Sequence, residues 1–174
     1  NLSKIEETVD KLLDCKNMNH PDKIFVMVGL LGDEKGQNSD EVIKEIYNVN
    51  VNYIVKLFDL LSKRGYLSDV DYIAFSSSVG SDLFFKRLFD YYESKRLLDK
   101  YIINLSSRFQ NSKCGIVNLK IGPVYDTRMG PSKGFFRLFA SKKKDVAKYI
   151  SDNINKNAVL YVPNYWKYVI LIDR

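Results

Sequence analysis

Tyr91 and Lys95 lie four residues apart in the stretch LFDYYESKRLL, residues 88–98, and are the first pair to consider for moving a proton. Side chains at this spacing lie on one face of a helix. A free tyrosine, with a pKa of about 10, is a poor proton shuttle at neutral pH, but a nearby ammonium group favours the tyrosinate and lowers that pKa. With 12 tyrosines and 20 lysines in 174 residues, about one such pair is expected by chance. The pair therefore needs support from other residues.

Two further polar residues precede this pair in the chain. Ser78 ends an apolar segment 13 residues before Tyr91, and Asn50 lies inside a predicted long helix. Asparagine has only a middling helix propensity and no cap to form in a helix interior. Asn52 is the alternative to Asn50. A shared site requires that the fold bring these residues to Tyr91 and Lys95.

The elements that must position these residues follow from alternating sequence patterns. Amphipathic periodicity predicts helices over four ranges: 1–15, 39–65, 88–111 and 141–155. Apolar runs predict strands over four others: 23–32, 70–80, 114–124 and 157–166. The run at 23–32 is almost continuously apolar, which is typical of a buried parallel strand. Strands that alternate with helices predict one α/β domain, residues 1–174, around a parallel sheet.

The ends of the first three predicted strands share a small, glycine-containing character. They read VGLLGD, SSSVG and GPVYDT. Ligands of open parallel sheets bind outside the carboxyl ends of the strands, and glycine allows a ligand to approach the backbone closely. We therefore predict the functional site at this edge of the sheet.

The order Asn50, Ser78, Tyr91, Lys95, followed by GPVYDTRM, resembles the short-chain dehydrogenase/reductase family over residues 1 to about 165. The resemblance implies a Rossmann-like parallel sheet with helices on both faces and an NAD(P)-dependent oxidoreductase that acts on a small keto or hydroxy substrate. It implies that Tyr91 donates the proton and that Lys95 lowers its pKa. It also implies that Ser78 polarises the substrate carbonyl and that Asn50 holds a water linking Lys95 to solvent.

The same resemblance implies where NAD or NADP binds. Besides the Tyr91–Lys95 pair, it assigns four residues to the cofactor: Gly29, Pro123, Val124 and Thr127. Thr127 matches a threonine that contacts the nicotinamide amide, with a helix N-cap as an equal alternative. Tyr92 is assigned to packing or a subunit contact, because on a helix it points about 100° away from its neighbour.

Several positions depart from the family pattern. The chain reads VMVG where the family usually has Asn-Asn-Ala-Gly. After the third strand it has Gly122-Pro123, the reverse of the usual order Pro-Gly. DTRM and the tail AVLYVPNYWKYVILI resemble the keto-sugar reductase subunit of the polyprenyl-phosphoryl-ribose epimerase and related reductases of surface-glycan synthesis. This implies a sugar substrate, with a lipid-linked sugar as one form. The tail, 166–172, either packs on the sheet edge or rests on a membrane surface.

A glycine-rich turn between a first strand and a helix, which binds the pyrophosphate of a dinucleotide, is missing from the sequence. We therefore expect the chain to supply strands four onward of a doubly wound domain, with an exposed edge on its first strand. Either the chain is a piece of a full reductase, or another chain supplies the missing part, or the protein is a non-catalytic interaction module. In each case helices 39–64 and 88–111 are the predicted surfaces for a homodimer or homotetramer.

Composition argues against other classes of protein. The net charge of +6 is scattered, so we expect no nucleic-acid binding, and no apolar run reaches the about 18 residues of a membrane span. Cys15 and Cys114 lack a metal-site spacing, and we predict two reduced thiols in a cytoplasmic protein without a metal. His20 is the only histidine and is interpreted as structural.

Overall fold

The computed structural model describes residues 2–14, 21–33, 37–83, 88–125, 127, 137–154 and 158–173. Its α-helices are α1 (Leu2–Asp14), α2 (Asp40–Tyr47), α3 (Tyr53–Lys63), α4 (Phe89–Arg108), α5 (Lys143–Asn153) and α6 (Tyr165–Asp173). Its strands are β1 (Lys23–Val26), β2 (Tyr72–Ser78), β3 (Gly115–Ile121), β4 (Val124–Tyr125), β5 (Ser141–Lys142) and β6 (Val159–Val162).

The main sheet has the order β1-β2-β3-β6, and all its neighbouring strands are parallel. One face carries a core formed with α1, α3 and α4, in which Phe58, Phe75 and Leu98 are buried. The other face packs against α5 through Val146 and Ile150. The predicted α/β architecture, with helices on both faces of a parallel sheet, is therefore confirmed.

The first strand differs from its prediction. We predicted a buried strand over 23–32, but β1 covers only Lys23–Val26, and its residues are alternately exposed and half-buried. Among the described strands it pairs with β2 alone, and Phe25 is 48% exposed. An apolar run fits a buried strand and an edge strand equally, because only the strands around it decide which one it is.

The predicted helix over 39–65 is one continuous helical segment with a π-helical turn, Asn48–Asn52, between α2 and α3. The sequence predicts Ser39 or Asp40 as its cap and Gly65 as its stop. Ser39 forms the cap, with its hydroxyl accepting from the Val42 N–H, and Gly65 follows the helix at a φ of 71°. The turn reads NVNVN, a run of residues that favour the α-helix weakly. Turns of this kind are frequent at functional sites.

The end of the chain packs on the sheet edge. α6 buries Trp166 and Ile170 against Val79 and Leu83, and a side chain at Gly122 would overlap the Trp166 indole. The prediction that this segment packs on the sheet is thus confirmed, while membrane contact stays a prediction. Among the residues that the structure describes, no helix is both long enough and apolar enough to cross a bilayer.

Candidate active site

The four residues predicted to do chemistry converge at the carboxyl edge of the sheet. Ser78 is the last residue of β2, Tyr91 and Lys95 lie in the first two turns of α4, and Asn50 is in the π-helical turn. Parallel strands bring their carboxyl ends to one edge, where α4 and the π-helical turn meet them. The fold therefore places all four residues in one region.

Lys95 is buried at the centre of this region, with only 2% of its surface exposed. Its Nζ donates to the Val28 carbonyl at 3.0 Å and to the Ser76 carbonyl at 2.9 Å. These carbonyls belong to the end of β2 and to the segment that follows β1. Burial lowers the pKa of Lys95 to about 8, and the nearby Asp99 carboxylate opposes this change.

The Ser78 hydroxyl lies near the Tyr91 phenol. Burial raises the pKa of Tyr91 above its ordinary value, Tyr92 adds to the effect, and the Ser78 hydroxyl acts against it as a hydrogen-bonding group. The Lys95 Nζ lies 5.9 Å from the centre of the Tyr91 ring. From the resemblance we expected Lys95 to lower the pKa of Tyr91. In this structure burial is the larger effect, so Tyr91 rests as a protonated phenol.

Asn50 connects three parts of the site. Its Oδ1 accepts from the Leu30 N–H at 2.7 Å, and its Nδ2 donates to the Leu30 carbonyl at 2.9 Å and to the Ser94 hydroxyl at 2.8 Å. Ser94 in turn donates to the Tyr91 carbonyl at 2.6 Å. Asn52, by contrast, is exposed and donates to Asn48. Asn50 is therefore the residue of the turn that belongs to the site.

Two glycines leave space for the side chains of neighbouring residues in this region. A side chain at Gly29 would begin 3.4 Å from the Lys95 Nζ, whereas one at Gly80 would overlap the Tyr92 ring. Tyr92 thus packs over the turn after β2, in agreement with its predicted packing role. Its predicted alternative, a subunit contact, stays a prediction.

The remaining predicted residues lie around this centre. Val124 begins β4 beside Pro123, and the exposed Thr127 donates to the Val124 carbonyl at 2.9 Å. The nicotinamide contact and the helix cap both stay predictions for Thr127. Cys114 is buried, and its thiol donates to the Gly115 carbonyl, whereas Cys15 and His20 lie outside the described residues. Among the residues described, no cluster of three metal-ligating side chains occurs.

A second polar cluster behind the site was missed by the sequence reasoning. Lys120 in β3 donates to the Ser81 hydroxyl at 2.7 Å, to Asp82 at 3.0 Å and to Asp99 at 2.6 Å. A lysine inside the apolar run IVNLKI could have indicated it, because a buried charge needs a charged or hydrogen-bonded partner.

Solved structures show what this arrangement is similar to. A short chain dehydrogenase from Salmonella enterica serovar Typhi matches with a TM-score of 0.77 at 16% identity, over 93% of this chain and 70% of its own. The chain has the fold of the short-chain dehydrogenases. A dehydrogenase of the same fold from Escherichia coli, complexed with NADPH, matches with a TM-score of 0.75 at 15% identity, over 93% of this chain and 70% of its own.

A more distant member of this fold is similar over the same region. A variant of the actinorhodin polyketide ketoreductase with NADPH has a TM-score of 0.71 at 14% identity, over 93% of this chain and 72% of its own. No model of a known protein family matches the chain, and no curated protein matches it significantly in sequence. The likeness to the short-chain dehydrogenases is therefore one of three-dimensional structure.

Proposed function

We propose that the protein is an NAD(P)-dependent oxidoreductase that interconverts a ketone and a secondary alcohol. The observation that carries the proposal is the convergence of Ser78, Tyr91 and the buried Lys95 ammonium at the carboxyl edge of the sheet. Two solved structures with this fold were crystallised with NADPH, which supports the choice of cofactor.

Reduction of a ketone requires a hydride at carbon and a proton at oxygen. The nicotinamide supplies the hydride when it is bound. A substrate carbonyl oxygen would approach between the hydroxyls of Tyr91 and Ser78. Ser78 would then donate to that oxygen and polarise it, and Tyr91 would transfer its proton. The Lys95 ammonium would stabilise the tyrosinate that remains.

The residues present suit the nicotinamide end of such a cofactor. Lys95 uses two of its three N–H donors on the described carbonyls, which leaves one for a hydroxyl of the adjoining ribose. Gly29 has no side chain to block this approach, and we assign Pro123, Val124 and Thr127 to the same end. Within the described residues, no strand leads through a short glycine-rich turn into a helix. The pyrophosphate end therefore needs residues beyond these.

For the substrate we propose a keto or hydroxy sugar, including a lipid-linked form. The proposal rests on the sequence of the DTRM segment and the tail, and on α6, where Tyr168, Leu171 and Ile172 are exposed. An apolar strip on this helix would suit a lipid carrier at a membrane surface. We place the reaction in the cytoplasm, the reducing compartment that the sequence predicts for its two cysteines.

Cofactor binding and turnover test the proposed function. The full-length protein is titrated with NADH and with NADPH while nicotinamide fluorescence is followed, and a panel of keto sugars is then added. We expect binding of at least one of the two nucleotides and loss of nicotinamide absorbance with a keto sugar. A full-length protein that binds neither nucleotide would contradict the proposal.

A non-catalytic interaction module is the second candidate function. The open edge of β1 favours it, because Phe25 in the strand and Met27 and Val28 just after it are 48%, 57% and 45% exposed. The strand pairs on one side only among the described strands. Unpaired edges are pairing sites for another strand. Helices 39–64 and 88–111 stay the proposed surfaces for a homodimer or homotetramer. Sedimentation of the full-length protein, with and without nucleotide, separates this function from the first.

The pKa of Lys95 predicts how the rate of reduction depends on pH. Burial lowers this pKa to about 8, so the ammonium is present below that pH and lost above it. Tyr91 stays protonated through the same range, because burial raises its pKa. We expect kcat for ketone reduction to be level below pH 8 and to fall about tenfold per pH unit above it. Lys95→Met should be slow at every pH and lack this inflection, and an inflection that persists would assign it to another group.

A further inference from the structure

A buried lysine outside the four predicted residues lies behind the site. The side chains of Lys120, Asp99 and Asp82 are 5%, 10% and 17% exposed. Lys120 uses all three of its N–H donors, one on each carboxylate and one on the Ser81 hydroxyl. A buried ion pair is costly to form and is weak evidence for stability as such. We therefore consider a role of this cluster in the candidate site, apart from the stability of the fold.

The contacts of Lys120 lead to the turn that carries Ser78. Ser81, which accepts from Lys120, donates to the Ser78 carbonyl at 2.7 Å. Asp82, the other partner in this turn, also accepts from the Tyr161 hydroxyl at 3.1 Å. Arg96 holds the same turn from α4, where its Nε donates to the Ser81 carbonyl at 2.9 Å. The backbone that positions Ser78 is thus held by two cations.

The third contact of Lys120 leads to the Lys95 side of the site. Asp99 follows Lys95 by one helical turn, and its carboxylate acts on Lys95 electrostatically. Its second oxygen accepts from the Asn118 amide at 2.9 Å. Lys120 is therefore the group that joins the carboxylate beside Lys95 to the turn of Ser78.

We propose that Lys120 is a positioning residue, which fixes the Ser78 turn and neutralises the Asp99 carboxylate beside Lys95. The catalytic importance of Lys120 rests on the proposed oxidoreductase function. One buried region then holds two positive groups and two negative groups, whose charges sum to zero. These groups are the lysines Lys95 and Lys120 and the carboxylates of Asp82 and Asp99. In a region of low dielectric such a balance has a larger effect than it would have in water.

The groups that face Lys95 determine the direction of the expected change. Tyr91 and Asp99 lie on its own helix, the Val28 and Ser76 carbonyls face it from the sheet, and the neutral Asn50 approaches from the π-helical turn. Asp99 is thus the one carboxylate among these described groups. Without Lys120 it keeps the Asn118 donor, and its charge acts on Lys95 without that counter-ion.

Opposite shifts in two variants test the proposal. In full-length protein without cofactor or substrate, the ε-carbon resonance of Lys95 is followed against pH by carbon-13 NMR, with Lys95→Arg used for assignment. We expect Lys120→Met to raise the pKa of Lys95 and Asp99→Asn to lower it, because one change leaves the Asp99 charge unbalanced and the other removes it. Lys120→Arg, which keeps the charge, and the surface variant Lys144→Met should leave this pKa near its wild-type value.

Amide hydrogen exchange tests the contact with the Ser78 turn. Lys120→Met should increase exchange at Gly80 and Ser81, and Lys144→Met should not. A Lys120→Met protein that folds but shows wild-type exchange and a wild-type Lys95 titration would overturn the proposal. Should that variant fail to fold, Asp99→Asn decides the question, since an unchanged pKa of Lys95 in that variant overturns it.

Measurement of turnover distinguishes a failure of this proposal from a failure of the proposed function. If the enzyme reduces a keto sugar, Lys120→Met should lower kcat by about 10- to 100-fold, as expected for a misplaced catalytic group, with little change in KM. An unchanged kcat in folded Lys120→Met protein would overturn the positioning role while leaving the oxidoreductase in place. Shifts in the Lys95 titration in a protein without turnover would support the charge network and count against the proposed function.

Discussion

Replacement of Tyr91 by phenylalanine should reduce ketone reduction by about 10²- to 10⁴-fold, the usual contribution of a general acid. The change removes only the phenol hydroxyl and leaves the ring beside the Lys95 ammonium. Binding of the nucleotide and the midpoint of thermal unfolding should therefore change little. Steady-state kinetics, nucleotide fluorescence and thermal unfolding of the same preparation provide the three measurements.

Tyr92→Phe is the matched control, because it removes the same atom from the adjacent residue. The Tyr92 ring packs over Gly80, and this contact survives the loss of the hydroxyl. We expect the activity of this variant to stay within a few-fold of the wild type. If Tyr91→Phe keeps full activity, or if Tyr92→Phe is the variant that loses it, then Tyr91 is not the proton donor.

Asn50→Leu should lower the free energy of unfolding by about 3 kcal/mol, since a polar group that loses its buried partner costs about 1–3 kcal/mol. Leucine is similar in size but leaves the N–H and the carbonyl of Leu30 without the carboxamide that pairs them. It also removes the donor to Ser94, which lies next to the proton-transfer pair. Urea unfolding with an unchanged m-value measures this loss, and turnover should fall as well.

Asn52→Leu provides the control from within the same π-helical turn. Asn52 is exposed and donates only to the neighbouring Asn48, so its replacement should change the free energy of unfolding by about 0.5 kcal/mol or less. Equal losses in the two variants would show that the turn tolerates neither substitution for reasons of helix geometry. The role of Asn50 in connecting the site would then be wrong.

Much of the local structure followed from the sequence because its causes are local. Ser39 caps a helix through its own hydroxyl, and Gly65 ends one through a positive φ. The apolar runs around β2 and β3 matched buried strands, since both strands have neighbours on each side. The predicted β1 was too long, and of the two expectations for it, a buried strand and an exposed edge, the described strands bear out the exposed edge.

The candidate site was predicted through the order of its residues. Asn50, Ser78, Tyr91 and Lys95 were identified in advance, and the structure brings them together at one edge of the sheet. The NVNVN turn left Asn50 and Asn52 as alternatives, and the burial of one and the exposure of the other decided between them. Composition and spacing cannot make this choice, because it depends on where Leu30 and Ser94 lie.

The sequence by itself thus determined the element types, the parallel α/β arrangement and the residues able to do chemistry, since propensity, periodicity and spacing are properties of neighbouring residues. Tertiary structure alone decided that burial raises the pKa of Tyr91 and lowers that of Lys95. It also decided that Lys120 connects two parts of the site. These outcomes depend on desolvation and on charges 21 and 38 residues apart in the chain, which meet only when β3 lies beneath α4.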